Sequence, residues 1–139
     1  MPTFDNLIQR LHGVDRDTRL ELLLDYARKL PDLPARYHTA RDQGVGRVHE
    51  CQTPVFLWVE QHDGTLTLHA DVPRESPTVR GFVGLLKRHL DGATPAEVAA
   101  FPNDLLDRLQ LTEILGMTRM QGLTAVLGRV KRMSAELGE

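Results

Sequence analysis

Hydrophobic and polar positions along the chain change period more than once, and each change predicts an element. Between Phe4 and His12, residues Leu7, Ile8 and Leu11 fall on one side and predict a short helix. Leu20, Leu23, Leu24, Ala27 and Leu30 then recur at helical spacing. A second helix is therefore expected, capped by Asp15 or Asp17 and stopped after Leu30 by Pro31 and Pro34. No period marks the residues from there to about Gly44, which read as irregular, and Val45 to Val48 reads as a short strand. Period two takes over next. Val55 to Glu60 and Thr65 to Ala70 form a hairpin closed by Asp63-Gly64, a strong two-residue turn signal. With that turn His62 faces Thr65, Trp58 faces His69 and Leu57 faces Ala70. One face collects Val55, Leu57, Val59, Leu66, Leu68 and Ala70, the core side. The other collects Phe56, Trp58, Glu60, Thr65, Thr67 and His69, and is expected to be half covered.

Helical spacing then returns. Ser76-Pro77 opens a helix with Val79, Phe82, Val83, Leu86 and Leu90 on one stripe, with proline where its missing N–H costs nothing. Gly81 and Gly84 each cost about 1 kcal/mol inside a helix, which predicts the close approach of another backbone. Thr94-Pro95-Ala96-Glu97 is a capping box. Thr118-Arg119-Met120-Gln121 is a second, opening a last helix with Leu123, Val126, Leu127, Val130 and Leu137 inward. The expected fold is α+β. It is a single domain over residues 1–139, a small antiparallel sheet of about three strands with helices from both termini packed on it.

Composition narrows the partners. A chain of 139 residues can bury a core without staples. Its formal net charge of -2 gives no general attraction to nucleic acid or to an anionic membrane, so neither is expected as a partner. The opening Met1-Pro2-Thr3-Phe4-Asp5 lacks a basic segment followed by an apolar one, and no apolar run approaches the roughly 20 residues that span a bilayer. The expected location is the reducing cytoplasm.

Candidate chemistry centres on Cys51, the single cysteine. A lone thiol closes no internal disulfide, and a structural zinc site normally takes four protein ligands. Cys51 lies in Gly44-Val45-Gly46-Arg47-Val48-His49-Glu50-Cys51-Gln52-Thr53-Pro54, whose glycines, proline and charges describe a mobile surface segment. A thiol there acts as a nucleophile or as one end of an intermolecular bond; the alternative is an inert, buried small hydrophobe. His49 lies two residues earlier, so in an extended backbone both side chains leave on one face. An imidazolium there would lower the thiol pKa; the alternative is a solvated loop histidine. The six histidines show no His-x-x-x-His spacing and there is no Cys-x-x-Cys, so neither a metal site nor a cofactor is expected. Gly44-x-Gly46 lacks the third glycine of a dinucleotide fingerprint. Lys87-Arg88-His89 and the stretch from Arg129 to Arg132 are solvated helix faces.

Five stretches, in order, resemble one known family. Leu30-Pro31-Asp32-Leu33-Pro34 resembles a proline-containing end of a second helix. Val48-His49-Glu50-Cys51-Gln52-Thr53-Pro54-Val55 resembles a Val-x-Gly-Cys-Gln-Ser segment, and Ala70-Asp71 through Val79-Arg80-Gly81-Phe82 an acidic turn and helix start. Gly92-Ala93-Thr94-Pro95-Ala96-Glu97-Val98 is similar to Gly-x-Thr-Pro-x-Glu-Ile. Leu115 to Leu123 is similar to Leu-x-x-Ser-Arg-x-x-Gly-Leu. The family is SufE, the sulfur acceptors that serve cysteine desulfurases in iron–sulfur cluster assembly. The resemblance implies a SufE/IscU-like fold and a persulfide carrier on Cys51, without independent turnover, that stimulates a SufS-like cysteine desulfurase and supplies a downstream Fe–S scaffold. Arg119 matches the family's arginine, and Glu75 stands in for its aspartate in the acidic turn; both are implied to orient the loop or the partner. Glu50 replaces the family's glycine before the cysteine, a negative charge that disfavours the thiolate unless it points away. The alternative is a stand-alone, peroxidase-like thiol enzyme using the same cysteine. A scaffold role needs several cysteine ligands and this chain has one. An acceptor also needs its loop guarded when free and extended when bound, with Gly44, Gly46 and Pro54 as hinge.

Overall fold

Local chemistry starts each helix. In the computed structural model, which describes residues 4–138, the Asp15 carboxylate accepts a hydrogen bond from the Thr18 N–H at 2.8 Å and caps α2 (Arg16–Lys29). Met1–Thr3 and Glu139, at the ends of the expected domain, lie outside the described residues. The short helix α1 (Asp5–Leu11) precedes α2, with Leu7 and Leu11 buried. After Leu30 the chain is not simply irregular: a 3-10 turn (Ala35–Tyr37) leads into α3 (His38–Asp42). A five-residue helix is too short to display an apolar period, so the pattern along the chain misses it.

The hairpin forms in the expected register. β1 (Phe56–His62) pairs antiparallel with β2 (Thr65–Asp71), His62 facing Thr65, Trp58 facing His69 and Leu57 facing Ala70. Asp63 and Gly64 both adopt positive φ, 52° and 83°, as a type I′ turn requires. Leu57, Leu66 and Leu68 are fully buried, and Val59, in the middle of β1, is half-buried. The opposite face is half covered as the mixed pattern predicts. Tyr37 stacks on Trp58 with ring centroids 4.7 Å apart, so the 3-10 turn supplies that cover. The sheet has two strands, not three: Val45 to Val48 contributes only one bridge, Arg47 opposite Phe56. Gly46 explains the interruption. Its φ is 85°, outside the strand region, and a Cβ there would sit 2.8 Å from the Trp58 ring.

Helix α4 (Pro77–Leu90) is buried on nearly every side, from Val79 through Leu86. The predicted stripe of Val79, Phe82, Val83, Leu86 and Leu90 is entirely core. Its other face meets α2, and the glycines there have the predicted cause. A Cβ on Gly81 would stand 2.2 Å from the Leu23 carbonyl oxygen, and one on Gly84 would stand 2.6 Å from that of Tyr26. The buried Arg80 donates to the carbonyls of Ala27 (3.0 Å), Leu30 (2.7 Å) and Val72 (2.7 Å), tying the end of α2 to the exit of β2. At the far end of α4, Lys87 donates to the Leu68 carbonyl and the Asp91 carboxylate accepts from the Leu68 N–H.

Thr94 and Glu97 form the full capping box of α5 (Pro95–Ala99). α6 (Leu105–Arg108) and α7 (Thr112–Leu137) complete the chain. The second predicted box, Thr118 to Gln121, does not form. α7 breaks at Gly116 (φ 75°, ψ 168°), so its long segment starts there and Thr118 lies inside the first turn. Leu123, Val126, Leu127 and Val130 point inward, whereas Leu137 is exposed and Ser134 is the buried residue of the last turns. α7 packs on β1, α4, α5 and α6.

The helix contacts predict opposite outcomes for one substitution at two sites. Gly81→Ala should destabilise by about 1–3 kcal/mol, because the added methyl meets backbone that cannot yield without parting α2 from α4. Gly128→Ala in α7 meets only the flexible end of Arg132 at 3.4 Å and should stabilise by up to about 1 kcal/mol. Urea denaturation of both variants checks this; a neutral Gly81→Ala would contradict the packing.

Candidate functional site

Two fully buried valines hold the base of the Cys51 segment. Val48 donates its N–H to the Val55 carbonyl at 2.9 Å, and both side chains are sealed in the core. Residues 49–54 leave the core between them and return. Within this excursion the Cys51 N–H bonds back to the Val48 carbonyl at 3.2 Å, making a tight turn. The turn directs Cys51 inward while His49, Glu50, Gln52 and Pro54 face solvent. Cys51 is 4% exposed and belongs to the hydrophobic core, so the thiol itself is not on the surface as the composition of its segment predicts.

Helix α7 provides the wall it rests on. A Cβ on Gly122 would lie 3.1 Å from Cys51 Sγ and 3.2 Å from its Cα, so any larger residue would force the Cys51 segment to shift. Beside the thiol is a cavity of about 150 Å³ lined by Cys51, Gln52, Thr53, Thr118 and Arg119. Thr118 and Arg119 come from the first turn after the Gly116 break, where unpaired helix N–H groups carry partial positive charge. Cys51 and Arg119 are therefore brought together.

His49 and Glu75 are not. Both are exposed and neither lines the cavity. The shared-face expectation for His49 assumed an extended backbone, and the turn at Cys51 removes the alternation it needs. Glu75 lies in the turn before α4. Glu50, the charge in the place of the family's glycine, faces solvent.

Burial pushes the Cys51 thiol pKa up, against the lowering expected from an adjacent imidazolium. A hydrogen bond from the Thr53 backbone and the charge of Arg47 act the other way, more weakly. Arg47 is thus the cation that favours the thiolate; its guanidinium also lies 5.9 Å from the Phe56 ring centroid. Sequence reasoning missed both Arg47 and Gly122. The signal for Gly122 was present, because a glycine in a helix interior needs a close neighbour as much as Gly81 and Gly84 do.

The family profile of SufE, described as an Fe–S metabolism associated domain, matches residues 5–134. The chain belongs to the SufE family. A SufE-like protein of Mycobacterium tuberculosis is 38% identical over 124 residues, covering 88% of this chain and 85% of that protein. Another from Synechocystis is 25% identical over 141 residues, covering 99% of this chain and 85% of its relative. A hypothetical protein of Thermus thermophilus, solved in solution, superposes with a TM-score of 0.82 at 33% identity, covering 99% of this chain and 98% of that one. The α+β reading and the SufE resemblance are both borne out.

Two outcomes follow for this SufE-family site. Burial makes the folded state hold the thiol proton more tightly than the unfolded chain does. The stability this group contributes is full below the ordinary thiol pKa and falls as pH rises through that value toward the folded one. Cys51→Ala should lack this alkaline decline in denaturation midpoint, and an equal decline in both proteins would contradict it. Gly122→Ala should push the Cys51 segment outward and speed reaction with a bulky aromatic disulfide several-fold; an unchanged rate would show that the Gly122 contact does not hold the thiol in.

Proposed function

We propose that this SufE-family protein is a sulfur acceptor that takes persulfide sulfur from a cysteine desulfurase onto Cys51 for iron–sulfur cluster assembly. The observation that carries this reading is the seating of the only thiol: buried against Gly122, beside a small cavity bordered by Arg119. In the transfer, the Cys51 thiolate attacks the outer sulfur of the donor persulfide. A bond forms between that sulfur and Cys51 Sγ, the donor's own S–S bond breaks, and the donor cysteine leaves as a thiolate that takes up the proton. Nothing is oxidised or reduced overall. The outer sulfur then occupies the cavity, with Arg119 and the start of the long α7 segment favouring its negative charge.

The cavity shields the cargo from small thiols, but a recessed sulfur cannot enter a second active site. The loop therefore works in two positions. Three extended residues on each limb of the 49–54 excursion, at ~3.3 Å each, carry Cys51 about 10 Å from its valine base. The desulfurase favours the extended position through its higher affinity for it. Delivery goes to a downstream Fe–S scaffold, and the cytoplasm is the compartment in which such a thiol stays reduced. Among the described residues no helix is long and apolar enough to cross a membrane. A raised, buried thiol argues against a stand-alone peroxidase, which needs a low-pKa, accessible one. Glu75, exposed in the turn before α4, remains a candidate partner contact; His49, pointing to solvent, is better placed for that than for stabilising a thiolate.

The test mixes the protein with a cysteine desulfurase and radiolabelled cysteine. Wild type should gain one labelled sulfur, Cys51→Ser none, and Arg119→Ala the same amount more slowly. Amide exchange over residues 47 to 53 should change on adding the desulfurase. Labelling of the serine variant would sink the assignment.

A further inference from the structure

A second cavity, of about 180 Å³, is lined by Leu24, Ala27, Arg28, Arg74, Pro77 and Arg80, and shares no lining residue with the Cys51 cavity. Every charged side chain on its wall is an arginine. Arg28 comes from α2, Arg74 from the turn after β2, and Arg80 from α4, whose first residue is Pro77. Another cavity between α2 and α4 differs: it is lined by Arg10, Lys29, Lys87 and Arg88 but also by Asp25 and Asp91.

Arg80 is 4% exposed and has no carboxylate partner among the described residues. Its three carbonyl bonds use one N–H from each nitrogen, which leaves two of the five guanidinium donors. Burial, and after it the like charge of Arg74, act against its cationic form, while Asp32 and Asp71 act on it with opposite sign. The rim arginines are held loosely. Arg74 meets Asp32 at 2.9 Å with both side chains mostly exposed. Arg28 meets Asp25 at 3.7 Å, but Asp25 lies closer to Lys29, at 2.9 Å. Exposed pairs of this kind are worth little and exchange readily for a better anion.

We infer that this pocket is a binding site for a tetrahedral oxyanion of the phosphate class. Three arginines from separate elements line the cavity, and the several oxygens of a phosphate suit guanidinium donors that arrive from more than one direction. The cavity offers roughly ten times the volume one water needs, enough for a single phosphate group. The positive end of α4 adds charge of the same sign. Bound there, the anion replaces repulsion between Arg74 and Arg80 with two attractions and fastens the α2 end to the start of α4.

The experiment titrates inorganic phosphate into the full-length protein, followed by NMR at the Thr78 and Val79 amides and the Arg80 Nε–H, against sodium chloride at matched ionic strength. Saturable shifts are expected with phosphate only. The double variant Arg28→Gln, Arg74→Gln, altered at exposed positions, should keep the fold and bind at least tenfold more weakly. A simple alkyl phosphate in a third arm distinguishes a free ion from a phosphate ester as the occupant; tighter binding of either supports the site. Linear shifts equal to those of chloride, or equal affinity in the double variant, would overturn it.

Discussion

The approach of two helix backbones sets the geometry of this protein. Gly81 and Gly84 let α4 touch the carbonyls of Leu23 and Tyr26 on α2, closer than any side chain would permit. That contact costs helix propensity at two positions and gains dense packing along α2. It also aligns Arg80 with the carbonyls at the end of α2, whose hydrogen bonds no further helical turn can take. A buried guanidinium with one bond from each nitrogen to a carbonyl closes that end without a carboxylate. The same side chain bonds Val72, so one residue fixes α2, α4 and the exit of the hairpin together.

From this frame the fold reaches the thiol by short steps. α4 lies against β2 and α7, and α7 lies against β1. The Cys51 segment springs from the valines just before β1 and comes to rest on Gly122 of α7. Two elements already fixed by the core thus define the seat, while the excursion between the valines is free of ladder bonds. Val48 and Val55 anchor the segment in the core, and of residues 49–54 between them only Cys51 is buried again.

Much of this was legible in the residues. Asp63-Gly64 accepts only the turn that fixes the hairpin register, so pairing and facing followed from two positions. The glycines of α4 announced a close helix because nothing else repays their cost. Features with no period were not legible: α3 spans five residues, and the bridge at Arg47 replaces a strand because Gly46 turns under Trp58. The site was half legible. Cys51 stood out by being single and Arg119 by its resemblance, yet the partners that touch or charge the thiol, Gly122 and Arg47, lie on either side of a chain reversal. Spacing along a sequence says little across a turn, and His49 failed for the same reason.

Shielding and reactivity oppose each other at Cys51. The burial that guards a sulfur there is the same burial that pushes the thiol pKa up and depletes the thiolate. Arg47 and the Thr53 backbone offset part of this but not all. Under the proposed function the conflict resolves through motion. Leaving the Gly122 seat removes the desolvation first, so the thiolate fraction rises as the sulfur becomes accessible. Activation and exposure are then one event, and the partner that favours the extended loop also favours the nucleophile. Return reverses both, leaving the loaded sulfur beside Arg119 where small thiols do not reach. Under this reading a merely flexible loop would expose its thiol at random, whereas a buried seat with a tight glycine contact couples chemistry to encounter.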